Sequence, residues 1–135
     1  MFRTSITIEW GDCDEAGIVF YPNYFYWFDC TFQRLIRHRG LSQRDIRQRF
    51  GAVTPIVQAN AEFVAPARYD DVIDIDVSIA RVNERRFRID YAMSRTGKPV
   101  GQGYEIRSWA LIDANGGIRG ASIDDEFFAL LCGAS

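Results

Sequence analysis

The chain is poor in histidine, lysine and cysteine. One histidine and three widely spaced cysteines among 135 residues offer no ligand set with the spacing of a zinc site. Phosphate-binding and dinucleotide-binding glycine motifs are also missing, so we expect no cofactor. A Ser-His-Asp triad would have to use His38, which lies between two arginines and is more simply a solvated cation. The odd number of cysteines fits free thiols, and we expect a cytoplasmic location.

Long apolar runs and an excess of positive charge are absent as well. No apolar stretch approaches the ~18–20 residues of a membrane span, and the first residues lack the apolar segment of a signal peptide. Sixteen basic residues against eighteen acidic ones give a formal net charge of −2, which argues against nucleic acid as a partner. The composition is globular, with 47% hydrophobic residues, and the length predicts a single domain over residues 1–135.

One long helix is predicted to begin near Pro22 and to end at Gly40. Proline suits the first position of a helix, and glycine suits the position after its last turn. Apolar residues fall at helical spacing between these limits. Further aromatic residues widen the apolar stripe to most of the circumference: Phe25, Tyr26 and Phe32. We therefore expect another part of the chain to wrap around this helix.

Most of the remaining sequence alternates between apolar and polar residues. This pattern predicts strands at residues 6–10, 57–63, 73–79, 87–93 and 103–112. Turns are predicted at residues 97–99 and 115–117, and short helices at residues 42–50 and 124–131. Because the connections between successive strands are short, the sheet is expected to be antiparallel. The sequence therefore predicts an α+β fold, with a curled sheet of five to six strands around the long helix.

The densest set of chemically useful residues lies where an acidic loop, residues 11–17, leads into the long helix. The free N–H groups of a helix N-terminus carry partial positive charge and can polarise a carbonyl or stabilise an oxyanion. A nearby carboxylate can act on that carbonyl as a nucleophile or as a general base. Asp12 and Asp14 are the candidates, and the alternative is that both only fix the turn.

Arginine supplies fifteen of the sixteen cationic side chains. Two stretches are rich in it, residues 34–49 and residues 81–88. Either stretch alone is adequately explained as a solvated face. The guanidinium group also suits phosphate, so a substrate that carries phosphate is compatible with the sequence.

Residues 11–24, Gly-Asp-Cys-Asp-Glu-Ala-Gly-Ile-Val-Phe-Tyr-Pro-Asn-Tyr, resemble the signature of the 4-hydroxybenzoyl-CoA thioesterases of the hot-dog superfamily. The likeness continues at residues 54–57, 63–64, 69–72 and 94–96, and so extends over nearly the whole chain. The related acyl-CoA thioesterases of the Tol–Pal system usually have histidine where this chain has Pro22, which favours the aroyl-CoA branch. The resemblance implies the hot-dog fold, a curled antiparallel sheet around one long helix.

The resemblance also implies roles for individual residues. The family's catalytic carboxylate matches Asp14, and the backbone N–H that polarises the thioester carbonyl matches Tyr21. The aspartate that meets the ring hydroxyl across a dimer interface matches Asp29. The basic CoA-binding run retains Arg85 and Arg86. Members of the family form dimers that pair into tetramers, so a homo-oligomer, a dimer of dimers, is expected.

The basic run departs from the family at two positions, which are Asn83 and Glu84 in this chain. The resemblance implies hydrolysis of an aromatic, 4-hydroxybenzoyl-like acyl-CoA to the free acid and CoA, without metal, nucleic acid or membrane. One alternative is a general short-chain acyl-CoA thioesterase. The other is a non-catalytic module that binds an acyl or aromatic ligand, or a transcriptional regulator that uses the arginine stretches.

Overall fold

The structure is a computed structural model that describes residues 2–133. The predicted domain also includes residues 1, 134 and 135, which lie outside this part. The helices are α1 (Pro22–His38), α2 (Gln43–Phe50) and α3 (Asp125–Leu131), and a 3₁₀ helix spans Trp10–Asp12. The strands are β1 (Phe2–Thr7), β2 (Ala52–Val53), β3 (Ile56–Phe63), β4 (Val72–Arg81), β5 (Arg86–Arg95), β6 (Lys98–Ser108), β7 (Ala110–Ile112) and β8 (Ile118–Gly120).

The strands form one large and one small antiparallel sheet. The large sheet has five strands in the order β1-β4-β5-β6-β3, and the small sheet has three in the order β2-β7-β8. The buried residues of β4 and β5 alternate along each strand, and they pack with the buried residues of α1 in one hydrophobic core. The predicted α+β class is confirmed. Within residues 2–133, no helix has the length and apolar character to cross a membrane.

The long helix α1 begins and ends as predicted, and its buried residues lie on one face. Pro22 is its first residue, and Gly40 follows its C-cap with a φ of +84°, which glycine adopts readily. Its buried residues recur every three or four positions: Tyr24, Trp27, Phe28, Thr31, Phe32, Leu35 and Ile36. Tyr26 points away from this face and is 66% exposed. The sheet therefore covers one face of α1, and Tyr26 of the wide apolar stripe lies outside that face.

A glycine in β6 allows α1 to lie close to the sheet. A Cβ atom at Gly103 would come within 2.5 Å of both the Phe28 ring and the backbone oxygen of Asn60. The Phe28 ring stacks on the Tyr91 ring of β5, with centroids 4.5 Å apart. Any larger residue at position 103 would push α1 away from β5 and β6.

Several boundaries differ from the prediction. The strand predicted at residues 6–10 ends at Thr7, and Trp10 lies in the 3₁₀ helix with 78% of its surface exposed. The β5–β6 turn lies at Thr96 and Gly97, both with positive φ, so β6 begins at Lys98 rather than near residue 103. The short strands β2 and β8 were not predicted, because two or three residues are too few to show a period.

Candidate active site

An apolar cavity of about 320 Å³ lies beside the N-terminus of α1. It is bounded by the end of the acidic loop, the first turn of α1 and the segment that follows β3. Its lining residues are Ile18, Val19, Tyr21, Tyr24, Phe63, Val64, Ala65, Pro66 and Ala67. The Tyr24 and Phe63 rings lie 5.0 Å apart between centroids and give it an aromatic wall. A flat apolar group of the size of a benzene ring suits such a site.

The first turn of α1 leaves one backbone N–H free at this cavity. The amide N–H of Phe20 donates to the backbone oxygen of Asp12, that of Asn23 to Phe20, and that of Tyr24 to Tyr21. Pro22 has no N–H to donate. Among the described residues, the Tyr21 amide has no backbone acceptor. It can therefore donate to the carbonyl oxygen of a ligand, at the positive end of the helix dipole.

The acidic loop is folded by its own aspartates. The Asp12 carboxylate accepts the backbone N–H of Glu9 at 2.8 Å, which closes the 3₁₀ helix. The backbone oxygen of Asp12 accepts the side-chain amide of Asn23 at 2.9 Å, which ties the loop to α1. Asp12 therefore fixes the turn, as the alternative interpretation of the two aspartates expected.

Asp14 occupies a different position in the same loop. It is exposed, and its Oδ1 accepts the backbone N–H of Ala16 at 2.9 Å. Its own amide donates to the backbone oxygen of Ile18, which lines the cavity, at 2.9 Å. Asp14 is not a lining residue of the cavity, but this hydrogen bond ties its backbone to the cavity wall. A carboxylate at this place can act on a carbonyl that lies between it and the Tyr21 amide.

Asp29 lies on α1, about two turns after Tyr21, and the structure does not bring it to the cavity of its own chain. Its side chain is 46% exposed. Its Oδ1 accepts a hydrogen bond from Arg107 Nη2 at 2.8 Å and one from Gln33 Nε2 at 3.2 Å. The carboxylate is therefore paired within the chain rather than buried without a partner.

Arg85 and Arg86 lie at the β4–β5 hairpin and do not line the cavity either. Both side chains are exposed. The Asn83 side chain accepts the backbone N–H groups of both arginines, at 2.9 and 3.0 Å. Glu84 accepts the Ser122 hydroxyl at 2.9 Å. The two positions that depart from the family pattern thus fix the hairpin that presents the two arginines.

The sequence interpretation missed a buried polar cluster on the inner face of β6. Glu105 and Arg107 have side chains only 2% and 5% exposed. The Glu105 Oε1 atom accepts the Tyr91 hydroxyl at 2.7 Å and two N–H groups of Arg107 at 3.1 and 3.2 Å. The signal was present, since an acid and a base stand two residues apart in phase with the buried Trp109.

Burial governs the ionisation of this cluster. It raises the pKa of Tyr91 well above its usual value, and the neighbouring Glu105 carboxyl raises it further. The phenol therefore keeps its proton and acts as a donor. Burial also raises the pKa of the Glu105 carboxyl, while the Arg107 guanidinium and the hydrogen bonds from Tyr91 and Arg107 oppose that rise.

Comparison with known proteins gives matches over most of the chain. The family model of the Thioesterase-like superfamily matches residues 8–131. The 4-hydroxybenzoyl-CoA thioesterase of Pseudomonas sp. (strain CBS-3) is 38% identical over 113 residues, which cover 78% of this chain and 80% of that protein. A 4-hydroxybenzoyl-CoA thioesterase variant solved with 4-hydroxybenzoyl-CoA superposes with a TM-score of 0.87 and 35% identity, covering 97% of each chain. A gentisyl-coenzyme A thioesterase superposes with a TM-score of 0.81 and 27% identity, covering 94% of this chain and 99% of that one.

A five-stranded antiparallel sheet on one long helix, with a polar loop at the start of that helix, defines the hot-dog class of thioesterases. Both the expected α+β class and the expected hot-dog fold are thus confirmed. The chain belongs to the Thioesterase-like superfamily.

Proposed function

We propose that this protein hydrolyses an aromatic acyl-CoA thioester, of the 4-hydroxybenzoyl type, to the free acid and CoA. The observation that carries the proposal is the unpaired Tyr21 amide at an apolar cavity, with the Asp14 loop on its rim. The 38% identity to the Pseudomonas 4-hydroxybenzoyl-CoA thioesterase supports the aromatic substrate. The reaction uses side chains and backbone of this chain and needs no metal.

The chemistry follows from where charge develops. The thioester carbonyl oxygen accepts the Tyr21 N–H, which stabilises the negative charge that forms there. Asp14 either attacks the carbonyl carbon or removes a proton from a water molecule that attacks it. In the water route the carbon–sulfur bond then breaks, the acid is released, and the CoA thiolate takes up the proton that Asp14 removed. In the nucleophilic route the thiolate leaves while the acyl group stays on Asp14 as an anhydride. Water then hydrolyses this anhydride to the acid and a protonated Asp14, which gives its proton to the thiolate. Both roles of Asp14 fit its exposed position beside the cavity.

Recognition of the two ends of the substrate falls to other residues. The aromatic ring occupies the apolar cavity, and Asp29 of a second subunit accepts the ring hydroxyl. Asp29 suits contact with another chain, because it does not line the cavity of its own chain and is half exposed. Arg85 and Arg86 bind the phosphates of CoA from their hairpin.

The protein acts as a homotetramer, a dimer of dimers, in the cytoplasm. The strand β3 supports the oligomer because it lies at the edge of the large sheet and is exposed on both faces over most of its length. An exposed edge strand readily pairs with the same strand of another copy. The three cysteines, none of which is in a disulfide, support the cytoplasmic location.

Thiol release from a panel of acyl-CoA esters tests the proposed function. The panel contains 4-hydroxybenzoyl-CoA, benzoyl-CoA, acetyl-CoA and butyryl-CoA, and a colorimetric thiol reagent reports CoA. We expect the highest kcat/KM with 4-hydroxybenzoyl-CoA. A preference for the short aliphatic esters would replace the proposal with a general acyl-CoA thioesterase. No release from any ester would favour a ligand-binding module.

A further inference from the structure

The buried cluster on β6 is connected to a half-exposed group, the carboxylate of Asp29. Tyr91 and Glu105 are buried, and Arg107 connects them to Asp29 through a 2.8 Å hydrogen bond from Nη2. A buried ion pair adds little stability compared with apolar residues of the same volume. The buried Glu105–Arg107 pair therefore needs another explanation, and its contact with Asp29 provides one.

Arg107 is itself held in a single orientation. Its guanidinium lies over the Phe32 ring, 4.1 Å from the centroid. Its Nη1 donates to the backbone oxygen of Thr54 at 3.0 Å, and its Nε and Nη2 donate to Glu105. The planar fork of arginine converts these fixed contacts into a fixed direction for the second N–H bond of Nη2. That bond points to Asp29.

The two carboxylate oxygens of Asp29 differ in their hydrogen bonds. Oδ1 accepts both Arg107 and Gln33, and Gln33 in turn accepts Gln43 of α2 at 3.0 Å. Oδ2 has no hydrogen-bond partner among residues 2–133. The carboxylate is thus fixed on one side, and its other oxygen is available to a ligand at a half-exposed surface.

From this geometry we infer that Arg107 is a positioning residue, which holds Asp29 so that its free Oδ2 accepts the hydroxyl of the substrate ring. Glu105 and Tyr91 act one step further back by fixing Arg107. The inference rests on the proposed function, since it assumes that Asp29 meets the ring. Nothing in it requires Arg107 to contact the substrate.

The test compares substrate preference in variants that leave no unpaired buried charge. The main variant is Glu105→Gln/Arg107→Met, which removes both buried charges and leaves an amide oxygen for the Tyr91 hydroxyl. Arg107→Lys is the second variant, because it keeps the charge but not the planar fork. Arg88→Met is the control. Arg88 also pairs with a carboxylate, that of Asp90, and lies 3.8 Å from the centroid of an aromatic ring, that of Tyr104. Unlike Arg107, it lies on the outer face of the sheet.

We measure the ratio of kcat/KM for 4-hydroxybenzoyl-CoA to that for benzoyl-CoA. Loss of an aligned hydrogen bond to a charged group predicts a fall of about tenfold or more in this ratio for the double variant. We expect a smaller fall for Arg107→Lys and none for Arg88→Met. In an Asp29→Asn background the double variant should lower the ratio no further, because Arg107 acts through Asp29.

An unchanged ratio in a folded double variant, or in Arg107→Lys if the double variant does not fold, would overturn the inference. An equal fall in the Asp29→Asn background would do so too. Binding of non-hydrolysable thioether analogues of CoA, with and without the ring hydroxyl, separates this result from failure of the proposed function. If the wild type binds the hydroxylated analogue more tightly and the double variant does not, the positioning role of Arg107 is supported even when no ester is hydrolysed. If the wild type binds both analogues equally, the inference is overturned.

Discussion

Asp12 and Asp14 lie two residues apart in one loop, yet their carboxylates have different tasks. Asp12 closes the 3₁₀ helix through the Glu9 amide, whereas Asp14 is exposed and caps only the local turn at Ala16. Spacing in the sequence could nominate both residues, but it could not separate them, because the difference depends on which backbone N–H each carboxylate meets. The resemblance to a family selected Asp14, which is the more exposed of the two in the structure.

Asp29 and its partners show where inference from the sequence stops. The resemblance matched Asp29 to the residue that meets the ring hydroxyl, but nothing in the sequence indicated its hydrogen bond from Arg107, 78 residues later in the chain. Such a long-range contact leaves no local periodic signal. The charged pair at positions 105 and 107 could have been noticed, since it interrupts the buried face of its strand.

The Tyr91 hydroxyl offers a direct test of the buried cluster at the residue scale. The substitution Tyr91→Phe removes the donor to Glu105 but keeps the ring that stacks on Phe28. Loss of a hydrogen bond to a buried charged group should lower the free energy of unfolding by about 1.5–3 kcal/mol. Urea denaturation at neutral pH measures the change.

Tyr104→Phe is the matched control for this measurement. Its hydroxyl only accepts the side-chain amide of Gln58 on the exposed face, so we expect a change within about 0.5 kcal/mol. If Tyr91→Phe changed the free energy of unfolding no more than the control does, the hydrogen bond from Tyr91 to Glu105 would not contribute to stability.

At the scale of elements, the helices were easier to predict than the strands. Pro22 and Gly40 are local signals, and the structure confirms both at the ends of α1. The ends of α2 carry local signals too, a Ser42 cap with Asp45 as its partner and Gly51 at the C-cap. Strand limits depend on partners elsewhere in the chain. The start of β6 was misplaced because Pro99 suggested a turn, whereas β6 accommodates it near a register shift between β5 and β6.

The edge strand β3 carries the prediction that belongs to this scale. Its apolar residues Ile56, Val57 and Phe63 are 44–52% exposed in the single chain. We predict that sedimentation equilibrium gives a mass above that of the 15.5 kDa monomer. The substitution Ala59→Lys, near the middle of β3, should weaken the oligomer by at least tenfold, because a two-fold interface brings the two like charges together.

The matched control replaces an exposed alanine away from this edge. Ala129→Lys on α3 adds the same charge to an exposed position and should leave the mass unchanged. A wild-type protein that sediments as a monomer at micromolar concentration would contradict the proposed oligomer. An oligomer that is insensitive to Ala59→Lys would move the interface to another surface.

At the scale of the whole molecule, the fold brings together parts of the chain that the sequence keeps apart. The cavity combines residues 18–24 with residues 63–67, and only the first of these segments was nominated from sequence. The second comes from the end of β3 and the residues after it, where the Phe63 ring lies 5.0 Å from the Tyr24 ring of α1. Composition and periodicity could predict the class of the fold, but they carry no information on how the end of one strand meets the start of a helix.

The rate of 4-hydroxybenzoyl-CoA hydrolysis by Asp14→Asn, compared with the wild type and with Asp12→Asn, tests the central claim most directly. Asparagine can still accept the Ala16 or Glu9 amide, so both loops should fold, which circular dichroism checks. We predict that Asp14→Asn lowers kcat by on the order of 10²-fold or more, while Asp12→Asn stays within a fewfold of the wild type. A wild-type kcat in folded Asp14→Asn would contradict the account, because the Asp14 carboxylate would then have no part in the reaction.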